Sequence, residues 1–192
     1  MSPLITTKAS ASAQGYGLFS PTAVVAGNFT SIATQTVGSG GAASITFSSI
    51  PSTYTHLQLR IFAQTSRSGA ITDGMNIQFN GDTGSNYSQH WLQGNGSAVT
   101  SYGYASQTRG WLGGSGGASG YFSANIVDIL DYTNTNKYKT HRCLMGTDAN
   151  GSGLIEIGSG VWLNTSAITS FTILPDYSPY VQYSSFALYG VK

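Results

Sequence analysis

The chain has 192 residues and a formal net charge of +1, and 8% of its residues are charged while 40% are hydrophobic. An average soluble protein carries about 25% charged residues, and nucleic-acid binders cluster lysine and arginine, so this composition argues against a nucleic-acid partner. No apolar run reaches the length of about 18 residues that a membrane-spanning helix needs, so no membrane partner is expected.

Residues 1–28 are rich in small residues and glycine and show no sustained hydrophobic period. Alone, such a segment cannot offset the entropy lost on ordering. We therefore predict an extended N-terminal arm whose apolar anchors, Leu18 and Phe19, bind a neighbouring protein; packing of the arm on its own domain is the alternative. The arm also lacks the apolar centre of a signal peptide, which predicts synthesis in a cytoplasm.

From residue 29 onward, short segments of period-two alternation follow one another, as in "HLQLRIFA" at 56–63. Polar and apolar residues alternate there, which is typical of a strand with one buried face. The predicted strands are Phe29–Val37, Ala42–Ser48, Tyr54–Ala63, Met75–Asn80, Tyr87–Gln93, Ala98–Thr108, Tyr121–Asp131, Lys137–Met145, Gly153–Leu163, Ile168–Leu174 and Val181–Val191. No stretch shows a helical stripe. We predict an all-β protein, an antiparallel β-sandwich of jelly-roll type, over residues 29–192.

Glycine-, serine- and proline-rich segments separate these strands and predict turns. They are "GSGG" at 38–41, "IPST" at 50–53, "NGDTGSN" at 80–86, "GGSGG" at 113–117 and "DANGSG" at 148–153. The Asn-Gly pairs at 80–81 and 150–151 supply the positive φ angles that tight hairpins need. The last strand has apolar residues on both faces, which predicts a central place in a sheet or cover by a partner.

Paired carboxylates of a hydrolase are not evident. The nearest interior pair, Asp128 and Asp131, lies three apart on one predicted strand and would point to opposite faces, whereas a glycosidase needs two carboxylates facing one bond. Asp128 fits a polar position on the open face, and Asp131 fits a cap on the turn that follows. No catalytic residue, and hence no enzyme, is predicted.

Metal and cofactor sites are also not predicted. The three histidines share no ligand spacing. The loop at 148–153 resembles a calcium loop in part, but the twelfth position holds Ser159 where glutamate is needed, so a hairpin turn is favoured. Cys143 fits a small core residue better than a reactive thiol, although His141 shares its strand face.

Aromatic residues crowd the middle of the chain among glycines. Four of them, Trp91, Tyr102, Tyr104 and Trp111, are candidates for a receptor site or a protein interface. Tyrosine and tryptophan with neutral polar neighbours can stack on sugars or anchor protein contacts. Ordinary packing on a β-sheet is the third alternative, since aromatic residues favour strands.

Four segments carry a resemblance to a known family. They are "FTSIATQTVGSGGAASITFSSIPSTYTHLQLRIFA", "IQFNGDTGSNYSQHWLQGNG", "VDILDYTNTNKYKTHRCLMG" and "VWLNTSAITSFTILPDYSPYVQYSSFALYGVK". Together they resemble a β-sandwich module of virion structural proteins of tailed double-stranded DNA phages. The resemblance implies an outer-surface position on a virion, after synthesis in the host cytoplasm, and brings no catalytic or metal residues.

The low charge and the short arm indicate which virion protein to expect. Neutral strand faces can pack together with little desolvation of ions, and no long shaft precedes the sandwich. We therefore expect a capsid decoration or cement protein, a homotrimer that binds and stabilises the major capsid shell. The alternative is a tail, neck or fibre-tip component that binds a host-surface glycan receptor.

Overall fold

A computed structural model describes residues 28–117 and 120–192, and this part of the chain forms twelve β-strands and no helix. The strands are β1 Phe29–Thr36, β2 Ile45–Phe47, β3 His56–Ala63, β4 Thr72–Phe79, β5 Tyr87–Gly94, β6 Val99–Gln107, β7 Gly110–Gly116, β8 Ser123–Leu130, β9 Lys139–Asp148, β10 Gly153–Trp162, β11 Phe171–Pro175 and β12 Ser185–Val191. Accordingly, the described residues contain no helix able to cross a membrane. The predicted arm with Leu18 and Phe19 lies outside them, apart from Asn28.

The strands form two antiparallel sheets. The larger sheet has the order β1-β12-β3-β8-β9-β10-β5-β6, and the smaller has the order β2-β11-β4-β7. The four strands β1-β12-β3-β8 facing β2-β11-β4-β7 have the pairing of an eight-stranded jelly roll. The predicted fold class is therefore confirmed, and β12 lies inside the larger sheet, between β1 and β3, as its two apolar faces indicated.

Two hairpins are added to this jelly roll. β5 and β6 lie between β4 and β7 in the chain, and β9 and β10 lie between β8 and β11. β9 pairs with β8 and β10 pairs with β5, so both hairpins extend the larger sheet on one side. The smaller sheet has only four strands. It leaves the inner face of the outermost hairpin, β5–β6, partly uncovered.

The core lies between the two sheets and follows the period-two alternation. In β3, Leu57, Leu59 and Ile61 are buried, while the alternating residues face outward. In β4, Met75, Ile77 and Phe79 are completely buried. Burying large apolar side chains contributes about 1.5–3 kcal/mol each, so these alternating positions supply much of the driving force for closing the sandwich.

All eleven predicted strands overlap observed ones, but the twelfth, β7, was missed. The sequence "GGSGG" at 113–117 predicts a turn, whereas β7 extends to Gly116. Glycine is needed there because the sheets approach closely: a Cβ on Gly113 would lie 2.8 Å from Cβ of Met145, and one on Gly116 would lie 1.9 Å from the Tyr121 carbonyl oxygen. Here glycine indicates close backbone packing, not a turn.

The Asn-Gly pairs at 80–81 and 150–151 adopt positive φ angles as predicted. Asn150 and Gly151 form the tight turn between the paired strands β9 and β10, so this hairpin is confirmed. The turn at Asn80 and Gly81 does not form a hairpin. It carries the chain from β4 in the smaller sheet to β5 in the larger one, because β4 pairs with β7 and β11 instead.

The segment after this turn is organised by Asp82. Its carboxylate accepts hydrogen bonds from Trp162 Nε1 at 2.7 Å, Asn86 Nδ2 at 2.9 Å and the Gly84 amide at 2.8 Å. Burial acts to raise the pKa of Asp82, but these three hydrogen bonds outweigh it and hold the pKa below its usual value. The carboxylate therefore links the buried Trp162 indole to the connection between the two sheets.

We expect Asp82→Ala to lower the free energy of unfolding by about 2–3 kcal/mol at pH 7, because it leaves the buried Trp162 N–H unpaired and removes a charged acceptor. Urea denaturation measures this effect. The difference should shrink as pH falls through the depressed pKa of Asp82, since the wild-type carboxylate then becomes protonated. Asp148→Ala, at the exposed last residue of β9, is the control; an equal loss in both variants would contradict the prediction.

Candidate binding surfaces

The four aromatic residues predicted as a candidate site lie together. The Trp91 ring stacks on Trp111 with centroids 4.7 Å apart, on Tyr102 at 4.9 Å and on Tyr104 at 5.5 Å, with interplanar angles between 17° and 29°. Offset stacking at these distances is favourable by about 0.5–1.5 kcal/mol per pair beyond the area buried. We call these four residues the aromatic cluster.

Strand register explains this cluster. Trp91 of β5 faces Tyr102 of β6 directly, and Tyr104 lies two residues along β6 on the same face. Trp111 comes from β7, the edge of the smaller sheet, and covers Trp91 from the other layer. Gly158 makes room on the neighbouring strand, because a Cβ there would lie 3.1 Å from Trp91 Cβ. The cluster therefore lies where the uncovered β5–β6 hairpin meets the edge of the sandwich.

A cavity of about 360 Å³ lies beside the aromatic cluster. Its lining comprises Asn76, Gln89, Trp91, Tyr104, Gln107, Thr108, Arg109, Trp111 and Asp176. Asp176 accepts a hydrogen bond from Asn76 Nδ2 at 2.7 Å, and its Oδ1 lies 3.7 Å from Arg109 Nη1. The cavity thus combines aromatic surface with amide groups and one ion pair. We call it the aromatic cavity.

Glu156 is buried next to the aromatic cluster. It lies on β10 with only 3% of its surface exposed. Burial raises the pKa of Glu156 to about 7, although the Gly114 amide and the Trp111 side chain act in the opposite direction. The neighbouring Cys143 thiol has its pKa raised to about 12 by burial and by Glu156, so it is a neutral core group and not a nucleophile.

The second surface is the outer side of the larger sheet. Ile126, Leu144, Ile157 and Leu92 face one another in register across β8, β9, β10 and β5. Such a row on the solvent face of a sheet is unusual, since antiparallel sheets commonly carry polar residues there. Nothing among the described residues covers it.

The next row of this surface contains a depression. Phe62 and Ile155 stand at its two ends, with the small residues Ala124 and Gly146 between them in register. The depression has a volume of about 570 Å³. We define the outer apolar face by its six large side chains, each of which exposes between 44% and 61% of its surface: Phe62, Leu92, Ile126, Leu144, Ile155 and Ile157.

A polar row borders the outer apolar face. Asp128 accepts a hydrogen bond from Arg142 Nε at 2.9 Å and another from Gln58 Nε2 at 2.9 Å. The charge of this carboxylate is therefore compensated within the sheet. Exposed apolar patches of this kind, rimmed by polar groups, mark interaction sites in soluble proteins.

The other predicted features have clear positions. Asp128 lies on the outer face, as predicted, and Asp131 follows the end of β8, where its carboxylate contacts Lys137 Nζ across the next turn. Cys143 and His141 are both buried on the inner face of β9, as their spacing indicated. Among the described residues, no group of three or more histidine, cysteine, aspartate or glutamate side chains could hold a metal ion.

The sequence indicated the aromatic cluster but not the polar residues around it. Gln89 shares a strand face with Trp91 and could have been inferred from period two. Arg109 and Asp176 are far apart in sequence and carry no motif. The outer apolar face was also missed, because its rows exist only once β10 is paired with β5. Leu18 and Phe19 lie outside the described residues, so their role stays a prediction.

No family model, curated protein or solved structure matched the chain. The resemblance to phage virion modules therefore stays a prediction from the quoted segments. The ligand role of the aromatic cluster is likewise a prediction, although its four members are in contact.

Proposed function

We propose that this protein is a structural component of a tailed-phage virion, a capsid decoration or cement protein that acts as a homotrimer on the major capsid shell. The observation that carries the binding role is the outer apolar face. The virion setting is supported by the four quoted segments alone. The function consists of docking on other protein surfaces and involves no chemical transformation.

The partner that binds the outer apolar face is another copy of this chain. Two features support this choice. The chain has a net charge of +1, so copies repel one another little. The ionic groups at the border of the face, Asp128 and Arg142, are already paired, so contact does not leave an uncompensated charge in the interface.

The free edges of the larger sheet are compatible with such assembly. The edge strands β1 and β6 contain neither a charged residue nor a proline, which are the usual protections of an edge strand. Val99 on β6 is 71% exposed and continues the apolar surface toward that edge. The edge strand β6 therefore has no charge or proline that would oppose association through the outer apolar face.

Self-association is tested by substituting Ile157 with aspartate. We expect the wild-type chain of 20.1 kDa to sediment at about three times that mass, and Ile157→Asp to weaken association by more than about a hundredfold, since it buries an unpaired charge. Thr46→Asp, at an exposed position on the outer side of the smaller sheet, is the control and should leave the mass unchanged. Circular dichroism verifies that both variants are folded. A wild-type monomer at high concentration, or equal effects of the two variants, would refute the interface.

Copy number per virion separates decoration from the tail alternative. Quantitative mass spectrometry of purified virions should find hundreds of copies for a decoration protein. A handful of copies would place the chain in a tail, neck or fibre tip, and its absence from virions would contradict the proposal as a whole.

A further inference from the structure

We propose that the aromatic cavity is a carbohydrate-binding site that takes one neutral sugar residue of a glycan. This inference concerns a surface different from the outer apolar face. It does not depend on the trimer or on the capsid shell.

Tyr104 provides an accessible ring at the mouth of the cavity. It exposes 48% of its surface, while Trp91, in the middle of the aromatic cluster, is half-buried and holds the rings in place. The C–H face of a pyranose is apolar and packs on an aromatic ring, just as other apolar groups do. Because Trp91 fixes the position of Tyr104 at 5.5 Å, the ring is preorganised for such a contact.

Polar side chains at the other wall match sugar hydroxyls. The Asp176 carboxylate accepts hydrogen bonds, the Arg109 guanidinium donates them, and the Asn76 amide can do both. A few polar groups of this kind beside an apolar wall orient a ligand in most small-molecule sites. The charges of Asp176 and Arg109 compensate each other at 3.7 Å, which favours a neutral sugar over an acidic one.

Gln89 gives an independent indication of a ligand. This residue is 93% buried, since only 7% of its surface is exposed, and it lines the cavity. Its Oε1 atom accepts no hydrogen bond from any described residue. Burying an unpaired amide oxygen costs about 1–3 kcal/mol, so such a group calls for an explanation. Its Oε1 exposes less than 1 Å² in the unoccupied cavity, so pairing with a sugar hydroxyl requires the Gln89 amide to turn toward the cavity that it lines.

The position of the cavity agrees with a recognition role. Its aromatic wall belongs mainly to the β5–β6 hairpin, which is added to the eight strands of the jelly roll. Binding residues concentrate on such additions, because the underlying scaffold holds them rigidly without requiring them for its own core.

The test uses the full-length chain and an array of immobilised neutral oligosaccharides built from glucose, galactose, mannose, rhamnose and N-acetylglucosamine. Sialylated and uronic-acid glycans form a second arm, and the free monosaccharides, titrated in solution, form a third. Two variants probe the two walls: Tyr104→Ala removes the ring and Gln89→Leu removes the unpaired oxygen. Tyr138→Ala, at a tyrosine that is 55% exposed elsewhere on the surface, is the control.

We expect binding to at least one neutral glycan, weakened by about tenfold or more in Tyr104→Ala and in Gln89→Leu and unchanged in Tyr138→Ala. Binding of the free monosaccharide with the same variant pattern would assign recognition to a single residue, as proposed. Stronger binding to acidic glycans, no binding to any arm, or binding that Tyr104→Ala leaves intact would overturn the proposal. The sedimentation of Ile157→Asp is independent of every one of these outcomes.

Discussion

We expect Gly160→Ala to lower the free energy of unfolding by about 3 kcal/mol, because an added methyl group would overpack the core. A Cβ at position 160 would lie 2.4 Å from Cε1 and 2.6 Å from Nε2 of His141. His141 cannot move away. It is completely buried, its Nε2 lies 3.0 Å from the Trp111 carbonyl oxygen, and the opposite sheet is so close that a Cβ on Gly110 would lie 2.7 Å from its Cε1.

Urea denaturation monitored by tryptophan fluorescence measures this loss. Gly146→Ala on the adjacent strand β9 is the matched control, since a Cβ there has no atom within 4 Å; this variant should be neutral or slightly stabilised, as alanine restricts the unfolded chain. In the double variant Gly160→Ala/His141→Ala, the two effects should be less than additive, because the alanine at 141 vacates the space. A loss below about 1 kcal/mol for Gly160→Ala would contradict the prediction, because it would show that the core around His141 accommodates the added methyl group.

The second large effect concerns the buried Glu156. We expect Glu156→Gln to raise the free energy of unfolding by about 3 kcal/mol at pH 8 and to have little effect at pH 4.5. Burial raises the pKa of this carboxyl to about 7 in the folded protein. Protonation of Glu156 is therefore favoured in the folded state. The stability that this protonation contributes is fully present below the pKa of Glu156 in the unfolded chain, and it is lost as pH rises through about 7.

The measurement is the difference in unfolding free energy between variant and wild type at each pH from 4.5 to 8. His141 titrates in the same range with the opposite effect, since burial lowers its pKa to about 4 and stability falls on acidification. Both proteins contain His141, so its contribution cancels in the difference. Ser159→Ala, at an exposed residue without a titratable side chain, should give a flat difference, and a flat difference for Glu156→Gln would show that its carboxylate is solvated.

These two predictions bear on the aromatic cavity as well as on stability. Glu156 and His141 both contact β7 groups, near Trp111 and at its carbonyl oxygen respectively. They hold the edge strand of the smaller sheet against the inserted hairpins. A variant at either position should therefore be tested for glycan binding only after its fold has been verified.

Local sequence determined the strands and most of their faces. In β3 and β9, alternation alone separates the buried residues from the exposed ones, because successive side chains of a strand point to opposite sides. The turn at Asn150 and Gly151 was evident for a similar reason, since few residues other than asparagine and glycine readily adopt positive φ. The all-β class and the jelly-roll type follow from such local patterns and from the absence of helical periodicity.

Strand β7 could not be predicted from local sequence patterns. β7 has no side-chain alternation to detect, because its glycines are selected by the closeness of Met145 on β9 and of Tyr121 in the segment before β8. A composition that predicts a loop in isolation is required here by packing. Only the tertiary structure shows whether such a glycine-rich segment is a loop or a closely packed strand.

The sequence by itself thus determined the all-β class, the low content of charged residues and the concentration of aromatic residues in the middle of the chain. The tertiary structure decided which of those residues meet: Trp91 and Tyr102 are joined by one hairpin, but Trp111 reaches them from the other sheet, and Asp176 is 65 residues beyond Trp111 in the chain. The outer apolar face likewise depends on the pairing of β10 with β5. The physical reason is that alternation is set within one strand, whereas register and sheet packing are set by contacts between segments distant in sequence.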